Sequence, residues 1–278
     1  MKQLFDQVSQ KTSKMVTNHY STSFSLGILF LSKKIRDDIY SIYGFVRFAD
    51  EIVDSFDGYD QKYLLEQFEF DLYNGLKNKI SLNPILNSFQ HVIHKYNIDM
   101  KLVDTFMRSM AMDLDKVNYT KDSYEDYILG SAEVVGLMCL KVFTEGDQAE
   151  YEKLKPYAMR LGAAFQKVNF LRDLKDDYQD LGRSYFPTID LENFTTHDKS
   201  IIEKEIAEDF KVALEGIRLL PKNSRQGVYL AYVYYSKLFK KIKRTPAHKV
   251  LQKRIRIPNF RKFILMFQSV LRHQTNLL

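Results

Sequence analysis

Apolar side chains recur every three to four residues along most of this 278-residue chain, and only 6 Pro and 11 Gly interrupt them. That period lays one apolar stripe along a helix, so the chain is predicted to be all-α. The spacing predicts helices over 3–18, 34–55, 61–77, 82–96, 100–116, 122–143, 148–179, 198–219, 223–243 and 259–274. Pro84, Pro156, Pro221 and Pro258 are read as lying near helix starts, where a missing N–H costs least. The one long break, 181–200, carries Gly182 and Pro187, and loops of that length often act as functional lids. No repeat period is visible. With 45% hydrophobic residues and no shift of composition along its length, residues 1–278 are expected to form a single domain around one large core.

Within this pattern two carboxylate pairs stand at i,i+4 spacing. The first lies in Arg47-Phe48-Ala49-Asp50-Glu51-Ile52-Val53-Asp54, the second in Asn169-Phe170-Leu171-Arg172-Asp173-Leu174-Lys175-Asp176-Asp177. Four residues of helix nearly complete a turn, so Asp50 shares a face with Asp54, and Asn169, Asp173 and Asp177 form a second stripe. Like charges so placed repel by roughly 0.2–0.5 kcal/mol when exposed, and burial raises that cost. Such pairs are common on solvated faces; Asp113 with Asp115 and Asp122 with Asp126 are read that way. The two stripes differ because apolar residues surround them: Ile39, Ile42, Phe45, Val46, Ala49, Ile52 and Val53 around the first, Leu161, Ala164, Phe165, Val168 and Leu171 around the second. Both are expected to face a cleft that holds a cation.

The donor set selects the ion. Carboxylate and amide oxygens suit Mg²⁺, or Mn²⁺ in its place, and Mg²⁺ commonly shares its shell with water and substrate phosphate. Zinc is disfavoured, since the six His are scattered and Cys139 stands alone. Facing stripes can hold several such ions across a diphosphate, with Arg47 and Arg172 on its remaining oxygens. Ionisation of an allylic diphosphate needs that help, because charge separates fully in the transition state.

Charge and cysteine usage narrow the setting. From Gly216 onward the chain carries 15 of its 41 Lys and Arg and none of its 35 Asp and Glu, which leaves a net −9 on residues 1–215 beneath an overall +6. A basic segment of this kind binds nucleic acid, anionic lipid or phosphorylated ligands, or forms a solvated face. No zinc-ligand spacing or nucleic-acid motif accompanies it, so no nucleic-acid partner is expected. Cys139, in the apolar run 134–140, is read as a core thiol in a reducing compartment. Lys2, Asp6, Lys11 and Lys14 argue against a secretory leader, and no stretch approaches the roughly 20 apolar residues that span a bilayer. A cytoplasmic protein is expected, with peripheral contact to the inner membrane face through its basic C-terminal third.

The same residues carry a more specific resemblance. Residues 43–54, Tyr43-Gly44-Phe45-Val46-Arg47-Phe48-Ala49-Asp50-Glu51-Ile52-Val53-Asp54, and 166–177, Gln166-Lys167-Val168-Asn169 through Asp177, followed by Gly182-Arg183-Ser184-Tyr185-Phe186-Pro187, resemble the two aspartate-rich motifs of the phytoene and squalene synthase family. Ser21-Thr22-Ser23-Phe24-Ser25 is similar to that family's serine and phenylalanine segment, and 235–242 to its C-terminal tyrosine helix. The resemblance spans nearly the whole chain, and the second motif is its most specific part.

This resemblance implies the isoprenoid-synthase fold, helices around a central cleft, and head-to-head condensation of two prenyl diphosphates through a cyclopropyl diphosphate. It implies that Asp50, Asp54, Asp173 and Asp177 bind Mg²⁺ with help from Asn169, and that Tyr43 and Arg47 join them in the catalytic set. Ser21, Ser23, Tyr43, Arg47, Gln166 and Arg172 would contact diphosphate or line its pocket, and family position adds Tyr185 and Tyr235. Phe24, Gly27 and Ile28 are read as lining an apolar tunnel, small Gly27 leaving room for a longer tail. Glu51 stands where relatives often carry Asp and is counted with the metal ligands. Glu133 replaces a small residue and is read either as a salt-bridged structural acid or as a site contact. Leu129 replaces a frequent Tyr, so no hydroxyl acts there. The expected reaction joins two geranylgeranyl diphosphates into phytoene, without NADPH. Dehydrosqualene or squalene synthesis from farnesyl diphosphate, or a non-catalytic scaffold of the same fold, are the alternatives.

Overall fold

The structure, a computed structural model, describes residues 1–114, 119–175, 185–187, 189, 191 and 193–258. Among these residues there is no β-strand. The helices are α1 (Lys2–Tyr20), α2 (Thr22–Leu29), α3 (Lys33–Ser55), α4 (Gln61–Asn78), α5 (Pro84–Tyr96), α6 (Met100–Met112), α7 (Lys121–Ile128), α8 (Val134–Phe143), α9 (Gln148–Lys175), α10 (Thr196–Leu219), α11 (Lys222–Lys243) and α12 (Ala247–Val250). A π turn, Leu129–Glu133, joins α7 to α8.

Local chemistry sets the helix ends. Asp60 accepts from Tyr63 N at 3.0 Å, Asn83 from Ile85 N at 2.9 Å just ahead of Pro84, and Asp99 from Lys101 N at 2.9 Å. Each satisfies a backbone donor that the first helical turn leaves unpaired. Thr120 with Ser123, and Thr195 with Asp198, form reciprocal capping boxes. Lys79 and Asn97 adopt left-handed conformations at the ends of α4 and α5, the geometry that closes a helix C-terminus.

Two apolar clusters flank the middle of the molecule. In one, Phe45 of α3 stacks on Phe89 of α5 at 4.0 Å between centroids, with Phe68 and Phe106 beside it. Fully buried rings of this kind each contribute about 1.5–3 kcal/mol relative to exposure. The other gathers α9, α10 and α11 around Val168, Leu171, Ile206 and Leu238. Helix α9 packs against α8, α10 and α11 and buries residues on nearly every side, as expected of a central helix. Its Lys167 is buried on Asp209 of α10 at 2.8 Å and pairs with Glu205, while Arg160 reaches the same Asp209 at 2.9 Å.

Several expectations change. Residues 122–143 form two helices and a π turn rather than one helix. Pro156 lies two turns inside α9 instead of at its start, so the Glu152 carbonyl lacks its usual helical donor. Helix α2 was not expected, because its eight residues are apolar or small all round and show no stripe. Asp113 is no solvated acid: it is 8% exposed and accepts from the Tyr127 hydroxyl at 2.8 Å. Asp122 and Asp126 are exposed as expected, whereas Asp115 lies outside the described residues. So do the predicted helix over 259–274, the end of that over 148–179, and much of the 181–200 break. Among the described residues, no helix is long and apolar enough to cross a membrane.

Candidate active site

A cavity of about 900 Å³ is lined by residues of both clusters and of a smaller third one that holds Leu140, Leu154, Ile217 and Leu220. Both carboxylate stripes line it: Asp50 and Asp54 from α3, Asn169 and Asp173 from α9. Each sits where the apolar face of its helix meets the cavity, so the acids are turned inward by the burial of Ile39, Ala49, Ile52 and Val53 on α3 and of Ala164, Val168 and Leu171 on α9. Asp177 lies outside the described residues. Glu51 is not among the lining residues; its carboxylate takes Arg47 Nη2, while Arg47 Nη1 donates to Asp50.

The other candidates converge on the same space. Ser21, Ser23 and Phe24 reach it from α2 and its cap, Tyr43 and Arg47 from α3, Gln166 and Arg172 from α9, Tyr185 from the segment after α9, and Tyr235 from α11. Ser21 is also the N-cap of α2, accepting from Phe24 N at 3.3 Å, so the start of the helix fixes the serine beside Tyr43. Asn169 Nδ2 donates to Gln166 Oε1 at 3.4 Å and its Oδ1 accepts from the Tyr235 hydroxyl at 3.3 Å. Aromatic contacts tie this wall together: Tyr235 stacks on Phe165 at 4.0 Å, and Phe24 lies 4.9 Å from Tyr43 and 5.8 Å from Tyr235.

The electrostatics couple Arg47 and Arg172 each to an acid. Arg47 lies 4.5 Å over the Tyr20 ring. Burial opposes its charge, but Asp50 and Glu51 outweigh that and raise its pKa. For Arg172 burial again opposes, and the hydrogen-bonded Asp173 carboxylate raises the pKa further. Burial pushes the Tyr43 phenol well up, with Tyr235 adding and Ser21 opposing. The Tyr235 phenol is pushed up to about 12 by burial, with Arg172 acting against it. Both phenols are therefore neutral donors at physiological pH.

Sequence reasoning missed several wall residues. The segment after α12 places Arg254, Arg256 and Ile257 on the cavity, and Arg254 Nε pairs with Asp173 Oδ1 at 2.7 Å. A signal was present: Arg254-Ile255-Arg256-Ile257 alternates cation and aliphatic as an extended strap does, with Ile255 and Ile257 buried. The deeper wall is apolar, from Phe106, Leu140, Phe143, Leu154 and Ile217 among others. Cys139 belongs to this wall and is partly accessible there rather than sealed in the core; burial pushes its thiol up to about 12. Gly27 and Ile28 also line the cavity. Glu133 does not. Burial raises its pKa while Lys167 and Arg160 oppose, which fits the structural-acid reading. Leu129 packs against the α3/α5 cluster.

Oxygen donors alone make up the stripes, a set suited to Mg²⁺ rather than to zinc. Among the described residues, no three His, Cys, Asp or Glu converge to hold a metal on their own. Separate acids on α3 and α9 fit a hard ion that completes its shell with water and substrate oxygen.

Comparison with known proteins adds to this geometry. The squalene/phytoene synthase family model matches residues 17–261. Phytoene synthase of Arthrospira platensis is 25% identical over 95% of this chain and 93% of its own length, and 15-cis-phytoene synthase of Synechocystis 27% over 94% and 84%. Chloroplastic phytoene synthase 1 of Solanum lycopersicum is 25% identical, and the match spans 59% of that longer protein. Among solved structures, a dehydrosqualene synthase superposes with a TM-score of 0.80 at 20% identity, covering 97% of this chain and 98% of that one. Squalene synthase HpnC of Alicyclobacillus acidocaldarius does so at 0.74 and 22%, covering 86% and 94%. The fold is that of the isoprenoid synthases.

Proposed function

The chain belongs to the squalene/phytoene synthase family, and from that premise we propose that it joins two geranylgeranyl diphosphates head to head into phytoene. One observation carries the reading: acids and guanidiniums from α3 and α9 share a cavity with an extensive apolar and aromatic wall. Such a space suits a ligand with a diphosphate at one end and a long hydrocarbon tail.

In this reading Asp50, Asp54, Asn169, Asp173 and Asp177 would hold Mg²⁺, or Mn²⁺. When bound, the ion supplies the positive charge that stabilises the diphosphate as it leaves. Arg47 and Arg172 bind oxygens that the metal does not, as fixed donors that need no reorganisation. Gln166, Ser21 and Ser23 bound the same pocket. Tyr43 and Tyr235, neutral phenols at physiological pH, line the pocket as hydrogen-bond donors. Phe24, Phe165 and Tyr235 line the cavity, and aromatic rings there would attract an allylic cation electrostatically. Attack by the second substrate's double bond, with loss of a proton, gives a cyclopropyl diphosphate, and a second ionisation with rearrangement and loss of a second proton follows. Two diphosphates and two protons leave for each phytoene, so no reductant such as NADPH enters.

Purified protein incubated with Mg²⁺ and either C15 or C20 diphosphate tests this directly. A C40 hydrocarbon from the C20 substrate is expected. Exclusive C30 product would move the assignment to dehydrosqualene synthesis. No hydrocarbon from either substrate would indicate a scaffold. Asp173→Asn is expected to abolish diphosphate release while circular dichroism shows the helices retained.

The cytoplasmic location and the contact of the basic C-terminal third with an anionic inner leaflet are proposed on charge alone. Lys240, Lys241 and Lys243 close α11, and salt-sensitive binding to anionic vesicles that falls when they are changed to Gln is the expected sign.

A further inference from the structure

The end of α11, α12 and the segment that follows line a second, smaller cavity of about 440 Å³. Six cations surround it, Lys241, Arg244, Lys249, Lys253, Arg254 and Arg256, and no acid among the described residues does. Its frame is fixed. Thr245 N donates to the Ile242 carbonyl oxygen and Thr245 Oγ1 to that of Lys241, each at 2.9 Å, which turns the chain out of α11. Val250 at 0% and Ile255 at 3% exposure pin α12 and the strap after it, and Lys241 Nζ joins helix to strap by donating to the Arg256 carbonyl oxygen at 2.6 Å. Cations at the end of a helix are ordinary partners of its dipole, which accounts for Lys241 and Arg244. It does not account for Lys253, Arg254 and Arg256, which follow α12. Among the described residues Arg244, Lys249, Lys253 and Arg256 make no ion pair, so like charges gathered around one space repel there without an internal counter-charge.

We propose that this outer cavity binds inorganic diphosphate, the group that departs in the reaction assigned to the larger cavity. Two observations select that anion. Arg254 and Arg256 line both cavities, and Arg254 gives its Nε to Asp173 at 2.7 Å, so a diphosphate leaving the α9 stripe stays beside a guanidinium as it moves outward. The unpaired cations also stand on three separate pieces of chain, Arg244 at the end of α11, Lys249 on α12 and Lys253 on the strap. Two linked phosphoryl groups offer enough charged acceptors to engage all three together, where a single small anion meets fewer of them. The choice of occupant rests on the proposed reaction, whereas the site rests on its own geometry.

Isothermal titration of the full chain with inorganic diphosphate, without metal or prenyl substrate, reads the site. Arg244→Gln/Lys249→Gln/Lys253→Gln removes three cations that line the outer cavity and not the larger one, and is expected to weaken diphosphate binding by about tenfold or more without lowering the Tm. Lys62→Gln/Lys77→Gln/Lys101→Gln, an equal loss of charge at exposed positions of α4 and α6, should weaken it by no more than about twofold, because salt screens distant charges. Sulfate at the same ionic strength should bind about tenfold more weakly than diphosphate. Equal weakening by the two triple variants, or equal affinity for sulfate, would overturn the proposal by reducing the cavity to a diffuse positive field. So would a cavity variant that binds diphosphate as wild type does but no longer binds phosphatidylglycerol vesicles, which would give these cations to lipid phosphate. Failure of the site and failure of the reaction are distinguishable: a chain that makes hydrocarbon while its cavity variant binds diphosphate undiminished loses the site alone, and one that makes none while the variant weakens binding keeps the site and loses the reaction.

Discussion

Cys139 lies in the wall of the cavity with its thiol pushed up to about 12 by burial, and only the thiolate reacts with alkylating agents. At pH 8 an unperturbed cysteine has roughly a thousand times more thiolate than this one, since each unit of pKa is tenfold. Iodoacetamide is therefore expected to modify Cys139 about a thousandfold more slowly than a denatured control, the rate rising tenfold per pH unit towards 12; mass spectrometry of timed aliquots checks it. A prenyl diphosphate in the cavity should slow the reaction further. Single residues were legible in the sequence where their meaning is local. Asp50, Asp54, Asn169 and Asp173 could be assigned to one space because i,i+4 spacing and apolar neighbours are both short-range properties. Arg254 could not, since it reaches Asp173 across 81 residues of chain: the alternation of residues 254–257 marks an extended strap but not what the strap touches. Cys139 was placed in the core from its apolar neighbours, which line the cavity as readily as they fill a core.

At the scale of elements, periodicity exposed the long helices and hid the two features that shape the cavity wall. Helix α2 has no polar face; it forms because Ser21 caps it and α11 covers it closely, a Cβ on Gly227 coming within 2.5 Å of the Gly27 carbonyl oxygen. Residues 122–143 carry one apolar period, but α7 and α8 are offset by the π turn, which puts Ser131 and Ala132 on the cavity. Turns of this kind often occur at functional sites. Gly130 permits it, since a Cβ there would lie 1.8 Å from Ser109 Oγ and 2.7 Å from the Thr105 carbonyl oxygen. Gly130→Ala is expected to destabilise the protein by about 1–3 kcal/mol, read as a lower midpoint in urea, and to reduce turnover more than substrate binding as the wall shifts. Between α9 and α10 the buried pairs of Asp209 with Lys167 and Arg160 make a second test. Asp209→Ala strands Lys167 beside Glu205 alone and should cost about 3–5 kcal/mol, whereas a polar change at exposed Glu208 should cost almost nothing.

The molecule as a whole turns two helix faces, far apart in sequence, into walls of one cavity, and its stability should report when they are bridged. Asp173 is held by Arg172 on its own helix and by Arg254 from the segment after α12, so its charge is balanced before any ligand arrives. Neutralising it therefore leaves two guanidiniums facing each other rather than relieving repulsion between acids. Asp173→Asn is expected to lower the metal-free stability by about 1–2 kcal/mol while the chain stays folded at 25 °C. Magnesium with an unreactive diphosphate analogue should act in the other sense, because a ligand that spans α3 and α9 binds only the folded chain. At a hundred times its dissociation constant the expected stabilisation is about 2.7 kcal/mol, a rise in Tm of about 5–10 °C for a chain of this size. Chelation of the metal should reverse most of it, and Asp54→Asn and Asp173→Asn should each remove most of it, one from α3 and the other from α9. Equal shifts in wild type and both variants, measured by differential scanning calorimetry, would mean that the ligand binds without joining the two stripes, and the assignment of the cavity to metal-assisted diphosphate departure would fail with it.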